Sequence, residues 1–320
     1  MIGVRVAAVA LALAAALGAG PAASQYPARP IRLIVPAPPG GTTDLLGRVI
    51  GTRLGEALGQ QVVIDNRGGA GGIVGTDMLT KAPPDGHTLA VIYTPHTVLP
   101  HLQKQLPYDA LADITPISMV TTAPLVLVVN PALPVRNVRE LIALAKKQPV
   151  VYGSAGNGSG GHLSGELLKQ MAGIQATHVP YKGAGPAAMD VVSGQLQFQF
   201  AAQITAQGFI RSGRLRAIAV TSTQRTPGLP DIPTVAESGV PGFVVVNWFG
   251  MIAPARTPRA VVTQLNAEIV RILQLPDVRT KLTGEGSEIV GDTPAQFAAF
   301  LRADFEKWGK VIRASGLKVD

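Results

Sequence analysis

The chain alternates short apolar, β-branched runs with segments in which apolar residues recur every three or four positions. From about Thr43 to Leu58, leucine or isoleucine recurs every four residues, which predicts a helix with one apolar face. Strands are predicted at 31–35, 62–64, 88–93, 125–129, 150–152, 177–179, 196–200, 217–220 and 244–249. Further helices are predicted at 138–147, 161–171, 186–192, 258–274, 277–282 and 294–315, with others ending near Pro83 and Arg211.

This strand-then-helix order predicts an α/β protein with doubly wound sheets. The run 125–129 lies between Pro124 and Pro131 and is apolar throughout, which suits a strand buried on both faces. Because crossovers are right-handed, the carboxyl ends of the strands and the loops after them share one edge of each sheet. Two such edges face to face form a cleft.

Residues 1–24 have the pattern of a cleavable secretory signal. Arg5 is their single charge, an apolar run follows at 6–19, and small residues end the segment at Ser24. The run is too short to cross a bilayer as a helix. We therefore expect export, with a mature chain that begins at Gln25 or Tyr26.

Composition narrows the function classes. The chain of 320 residues is 47% apolar and 15% charged, which argues against a disordered protein. It has no Cys, which excludes disulfides, thiolate metal sites and a cysteine nucleophile. The net charge of +8 is scattered, the longest basic run is Lys146-Lys147 and aromatics make up 5%. Nucleic acid is therefore not an expected partner.

Two predicted strand-to-helix loops carry the candidate chemistry. The first spans 35–44 and the second 152–162, and both are rich in Gly, Ser and Thr. Glycine lets a ligand approach the backbone, and a helix N-terminus offers unpaired N–H groups and partial positive charge. Together these favour an anion such as a carboxylate or phosphate. Since many such turns are glycine-rich only in order to turn tightly, a purely structural role stays open.

Other chemistry finds little support. Residues 156–161 match G-x-G-x-x-G, but 178–182 lack the acid that a dinucleotide site requires. No serine stands in G-x-S-x-G, and the five histidines match no metal-binding pattern. We therefore expect no enzyme, no cofactor and no metal. His162 is kept as a candidate because it begins the helix after the second loop.

Nine motifs in order give the chain a family resemblance. They lie at 30–36, 39–44, 65–72, 82–86, 106–109, 152–158, 178–183, 229–235 and 248–250. The chain resembles the Bug-type solute receptors, the substrate-binding proteins of tripartite tricarboxylate transporters. The resemblance covers essentially the whole mature chain.

The resemblance implies a two-lobed periplasmic-binding-protein fold with a ligand cleft, in which the chain crosses twice between mixed sheets. The crossings are expected near 126–130 and 247–253. Lobe I would comprise 25–126 and 248–320, and lobe II 127–247. In the family, loops of both lobes clamp a ligand carboxylate through backbone N–H groups and water.

Carried onto this chain, that clamp implies the following ligand-binding residues: Ala37, Pro39, Gly40, Gly41, Thr42, Thr43, Asp44, Ser154, Ala155, Gly156, Asn157, Gly158, Ser159, His162, Tyr181 and Ala201. The chain departs from the family at three positions. Ala37 replaces a common Phe, Pro38 a common Ala, and Ala201 an Asp that many members carry. A cleft Asp could pair with a ligand ammonium, so its absence favours a carboxylate without an amine.

The predicted function is therefore that of a periplasmic receptor that captures a small organic carboxylate. It would deliver the ligand to the membrane permease of a tripartite tricarboxylate transporter. No sequence signal indicates oligomerisation, so a monomer is expected. Two alternatives are a periplasmic adaptor that senses the same ligand and signals to a membrane partner, and an exported hydrolase.

Overall fold

The computed structural model of the protein describes residues 26–103, 105–284 and 286–315. The predicted signal segment lies outside these ranges. The strands are β1 (Ile31–Val35), β2 (Val62–Asn66), β3 (Thr88–Tyr93), β4 (Ile114–Val129), β5 (Val150–Ser154), β6 (Ala176–Pro180), β7 (Phe198–Ala202), β8 (Arg216–Val220), β9 (Val246–Pro254) and β10 (Glu288–Ile289).

The α-helices are α1 (Thr42–Leu58), α2 (Ile73–Thr80), α3 (Pro95–Leu102), α4 (Val138–Lys147), α5 (Gly160–Ala172), α6 (Ala184–Ser193), α7 (Gln203–Arg211), α8 (Arg259–Leu273), α9 (Pro276–Gly284) and α10 (Pro294–Ser315). A 3₁₀ turn, Ala70–Gly72, precedes α2. Most predicted elements are confirmed within a few residues, and the bounds of α4 and α10 agree with the prediction.

Two groups of strands meet at an antiparallel pair. β1 pairs in parallel with β2 and β3, and β5 pairs in parallel with β6 and β7. The long β4 joins the groups, because its 114–124 part pairs with β9 and its 125–129 part with β7 and β8. The strand order is β2-β1-β3-β9-β4-β7-β5-β6, with β8 and β10 on β4. This mixed, two-lobed arrangement confirms the predicted α/β class.

The sequence missed helix α3. Its interior contains Pro100, a residue that usually ends a helix, so the apolar pattern gave no helical signal. Leu99 and Leu102 of α3 pack in one apolar cluster with Leu163 of α5 and Trp308 of α10. Helices from outside the predicted lobe II thus pack against it. The predicted lobe boundaries themselves stay a prediction.

A predicted capping box begins α4. The Asn137 side chain accepts a hydrogen bond from the Glu140 N–H at 2.9 Å, and Glu140 accepts one from the Arg136 N–H at 2.6 Å. We expect Asn137→Ala to lower the free energy of unfolding by about 1 kcal/mol, because a first-turn N–H loses its acceptor. Urea unfolding measures this loss. An unchanged free energy of unfolding would show that this cap does not stabilise the helix.

Candidate functional site

The first loop leaves the start of α1 with unpaired donors. It leads from β1 to α1, whose N-cap is Gly41, and no side chain among the described residues caps this end of the helix. The N–H groups of Thr42 and Thr43 therefore lack the acceptors that a helix interior would supply. Gly40, just before the cap, has a φ of +91°, a conformation that favours glycine.

Asp44 holds this loop in place. Its buried carboxylate accepts hydrogen bonds from the Gly40 N–H and Arg48 Nε, both at 3.0 Å, and from Asn66 Nδ2 at 2.9 Å. Burial opposes ionisation, but the bonds from Arg48, Gly40 and Asn66 outweigh it and lower the pKa of Asp44. The carboxylate is therefore ionised and holds the loop through these bonds, and its predicted contact with a ligand stays a prediction.

The second loop leads from β5 to α5 and is braced by its own side chains. Ser159 caps α5: its Oγ accepts from the His162 N–H at 3.4 Å and donates to the Gly156 carbonyl at 2.7 Å. The Ser154 Oγ accepts from the Gly156 N–H at 3.1 Å. Gly156 and Gly158 have φ values of +126° and +74°. The loop therefore has a fixed shape that depends on glycine at two positions.

Two stacked imidazoles lie beneath the second loop. The rings of His162 and His178 are 4.0 Å apart and nearly parallel. Burial lowers the pKa of His162 to about 4 and that of His178 to about 3. Both rings are therefore neutral at neutral pH. His178 was missed as a site residue, although it opens one of the motifs that carry the family resemblance.

The turn at 68–72 and helix α3 connect the two loops. A Cβ added at Gly68 would meet the Pro38 nitrogen of the first loop at 3.1 Å. A Cβ at Gly71 would meet Leu99 of α3 at 2.8 Å, and one at Gly158 of the second loop would meet the same leucine at 3.2 Å. Leu99 thus bridges the turn beside the first loop and the tip of the second. The fold brings the two predicted loops into one region.

The predicted site residues differ in exposure. Those exposed to solvent are Pro39, Gly40, Gly41, Ala155 and Asn157. Those half-buried are Ala37, Thr42, Gly156, Ser159 and Tyr181. Those buried are Thr43, Asp44, Ser154, Gly158, His162 and Ala201.

Tyr181 and Ala201 both contact other parts of the fold, and their predicted contacts with a ligand stay a prediction. The Tyr181 N–H donates to the Ser154 carbonyl at 3.0 Å, and its hydroxyl donates to Asp190. Tyr181 therefore braces the second loop. Ala201 lies in β7 within an apolar cluster that includes Val126 and Val220. Its methyl group packs with these residues, so an Asp in this place would be buried among apolar neighbours.

Within the described ranges, no group of three or more His, Asp or Glu residues could hold a metal ion. In the same part of the chain, no helix combines the length and apolar character needed to cross a membrane.

The buried His162 predicts a loss of stability in mild acid. Its folded-state pKa of about 4 lies below the ordinary value of 6.5, so the unfolded chain binds the proton more readily. Stability is therefore fully present above pH 6.5 and falls as the pH drops towards 4, by about 1 kcal/mol at pH 5.5 for this group. Thermal unfolding of the wild type and of His162→Asn from pH 7.5 to 4.5 measures the effect. Parallel profiles for the two proteins would contradict it.

Comparisons with known proteins agree with this geometry. A family model described as "Tripartite tricarboxylate transporter family receptor" matches residues 46–317. Protein BugT of Bordetella pertussis is 40% identical over 309 residues, which cover 95% of each chain.

Solved structures extend the likeness to the fold. A protein of R. palustris solved with adipate is 36% identical, with a TM-score of 0.85 over 92% of this chain and 99% of its own. MatC from Rhodopseudomonas palustris, solved with bound malate, is 32% identical, with a TM-score of 0.80 over 90% and 99%. Two further structures, with TM-scores of 0.84 and 0.82, are described as periplasmic proteins.

Proposed function

Since the chain belongs to the tripartite tricarboxylate transporter receptor family, we propose that it captures a small dicarboxylate between its two glycine-rich loops. It then delivers the ligand to the membrane permease of such a transporter. Like its family and its structural relatives, the chain is a solute receptor and not an enzyme. This membership sets aside the exported hydrolase.

The uncapped start of α1 is the observation that carries the proposal. Thr42 and Thr43 present N–H groups without helical acceptors, beside a loop that Asp44 holds rigid. A ligand carboxylate supplies the missing acceptors and interacts favourably with the positive end of the helix dipole. Within the first loop, the Gly40 N–H already donates to Asp44. The donors that this loop leaves for the ligand are therefore the N–H groups at the start of α1.

Two donors of the first loop, the N–H groups of Thr42 and Thr43, together with one or two from the second loop, would give an affinity in the micromolar range. Charge-assisted hydrogen bonds contribute roughly 1.5–3 kcal/mol each, and a helix terminus adds up to about 2 kcal/mol. Three or four contacts shared by the two loops, less the cost of ordering the ligand, reach about −8 kcal/mol. Rotation of the strand groups about β4 and β9 would close the loops on the ligand.

The relatives indicate the class of ligand. Adipate and malate, the ligands of the two R. palustris structures, are both dicarboxylates without an amine. The buried Ala201 of this chain offers no charge to a ligand ammonium group. We therefore place α-amino acids outside the ligand class.

We also propose a periplasmic location and a monomeric state. Relatives described as periplasmic and the secretory pattern of residues 1–24 support the location. A ligand-sensing adaptor would bind the same ligands at the same loops. Crosslinking in cells distinguishes the two, because it identifies the membrane partner as a permease or as a sensor.

A thermal-shift screen tests the proposed function. The mature chain is unfolded and refolded to remove co-purified ligand, then screened with mono-, di- and tricarboxylates, aromatic carboxylates, phosphonates and amino acids. A ligand at about 100 times its Kd adds about 2.7 kcal/mol of stability, enough to raise Tm by several degrees. We expect the shift with dicarboxylates. A shift with amino acids alone, or with no carboxylate, would refute the proposal.

A further inference from the structure

We infer that His162 and His178 are positioning residues for ligand capture, because their ring nitrogens fix the second loop from beneath. This inference rests on the proposed function, since it concerns the loop that would bind the carboxylate.

His162 ties the tip of the loop to helix α5. Its ring is 3% exposed, and its Nδ1 accepts a hydrogen bond from the Gly158 N–H at 3.1 Å. An N–H can donate only to a nitrogen with a free lone pair, so the ring is neutral and carries its proton on Nε2. The bond holds Gly158 at its φ of +74° and directs its N–H towards the His162 ring.

His178 supports Gly156, the other glycine of the loop with a positive φ, through the Ser154 side chain. Its Nε2 lies 2.7 Å from the Ser154 Oγ. That hydroxyl also contacts the N–H and the carbonyl of Gly156, at 3.1 and 3.0 Å. Two histidines, one from β6 and one from α5, therefore stack on each other and hold the two left-handed glycines of one loop.

The surrounding charges leave both rings neutral. Lys169 pairs with Glu166 at 2.8 Å, and the Tyr152 hydroxyl donates to the same carboxylate at 2.8 Å. The Glu166 charge is thus shared between Lys169 and Tyr152. Burial lowers both imidazole pKa values. The Glu166 carboxylate raises the pKa of His162 and Lys169 opposes that effect, while His162 and Lys169 both lower the pKa of His178 further; burial prevails at each ring. At neutral pH each ring can therefore act as a fixed acceptor or donor without a charge of its own.

Amide side chains can replace one ring nitrogen at a time. The terminal group of Asn reaches the place of Nδ1, and that of Gln reaches the place of Nε2. His162→Asn should therefore keep the bond to Gly158, whereas His162→Gln should lose it. At position 178 the order reverses, because the nitrogen in use is Nε2: His178→Gln should keep the contact with Ser154, and His178→Asn should lose it.

Calorimetric titration of the refolded mature chain with adipate at pH 7.5 gives the test. We expect Kd to stay within about threefold of the wild type in His162→Asn and His178→Gln, and to rise roughly tenfold in His162→Gln and His178→Asn, the effect of about one hydrogen bond. Each pair removes the same stacked ring, so each variant controls for its partner. Equal losses in all four, or wild-type affinity in all four, would overturn the inference.

A measurement without ligand separates this inference from the proposed function. If the wild type gives no heat with adipate or any other dicarboxylate, the proposed function fails. The ¹⁵N chemical shifts of the wild-type His162 ring test separately whether this ring braces the second loop, the structural part of the inference. An unprotonated Nδ1 with a proton on Nε2 supports it, and a proton on Nδ1 at pH 7.5 overturns it, even where variants fail to fold.

Discussion

Gly40→Val should weaken dicarboxylate binding about a hundredfold or more, the equivalent of two lost charge-assisted hydrogen bonds. Gly40 has a φ of +91°, and a Cβ there meets no atom within 4 Å. The effect is therefore conformational, because a β-branched residue disfavours a positive φ. The backbone changes its conformation at this position, and the hydrogen bond from its N–H to Asp44 is lost. The start of α1 then loses its fixed approach to the ligand. Calorimetric titration measures the loss.

Gly59→Val is the matched control. Gly59 ends α1 at a φ of +65° and also has open space around it, but it lies at the opposite end of the helix from the first loop. Both variants should lose stability to backbone strain, and Gly40→Val should also lose the bond from its N–H to Asp44. Only Gly40→Val should lose the ligand. Equal affinities in the two variants would show that the first loop does not bind the carboxylate.

Gly161→Ala should destabilise the fold by about 1–3 kcal/mol and weaken binding as well. The added Cβ would lie 2.6 Å from the Phe200 carbonyl oxygen. That oxygen is a backbone atom of strand β7, which is fixed by its pairing with β4 and β5 and cannot move as a flexible side chain can. The start of α5 must therefore move instead. The second loop moves with it. Urea unfolding and titration of the same preparation measure both losses.

Gly208→Ala is a control in which the same substitution should raise the free energy of unfolding. Gly208 lies inside α7 with no atom within 4 Å of an added Cβ. Alanine is favoured over glycine in a helix by roughly 0.5–1 kcal/mol, so this variant should be more stable than the wild type and bind normally. If Gly161→Ala behaved like Gly208→Ala, the close contact between α5 and β7 would not exist in solution.

The sequence anticipates most of the framework for local reasons. The four-residue recurrence of apolar side chains in α1 and the capping residues of α4 are properties of adjacent positions. Strand β4 shows the limit of such reasoning. Its apolar end, 125–129, is visible as a run, but its 114–124 part is recognised only by its pairing with β9.

At the site, sequence patterns locate the two loops but not what supports them. The motif predicts Asp44 as a ligand contact but does not show its bonds to Gly40 in its own loop and to Asn66. His178 contacts Ser154 from 24 positions away, a relation that no local spacing encodes. Leu99 of α3 contacts both the turn beside the first loop and the second loop. The sequence does not predict this helix, because it contains Pro100. The contacts of His178 and Leu99, and that of Asp44 with Asn66, are long-range and depend on how the elements pack.

The central claim is tested most directly by a crystal structure of the refolded chain with a bound dicarboxylate. The ligand to use is the dicarboxylate that gives the largest rise in Tm. The account predicts one ligand carboxylate within about 3 Å of the Thr42 and Thr43 N–H groups. The same ligand should also contact the second loop at 154–159. A ligand bound elsewhere, or one held by a single loop with the other more than a hydrogen-bond length away, would contradict it.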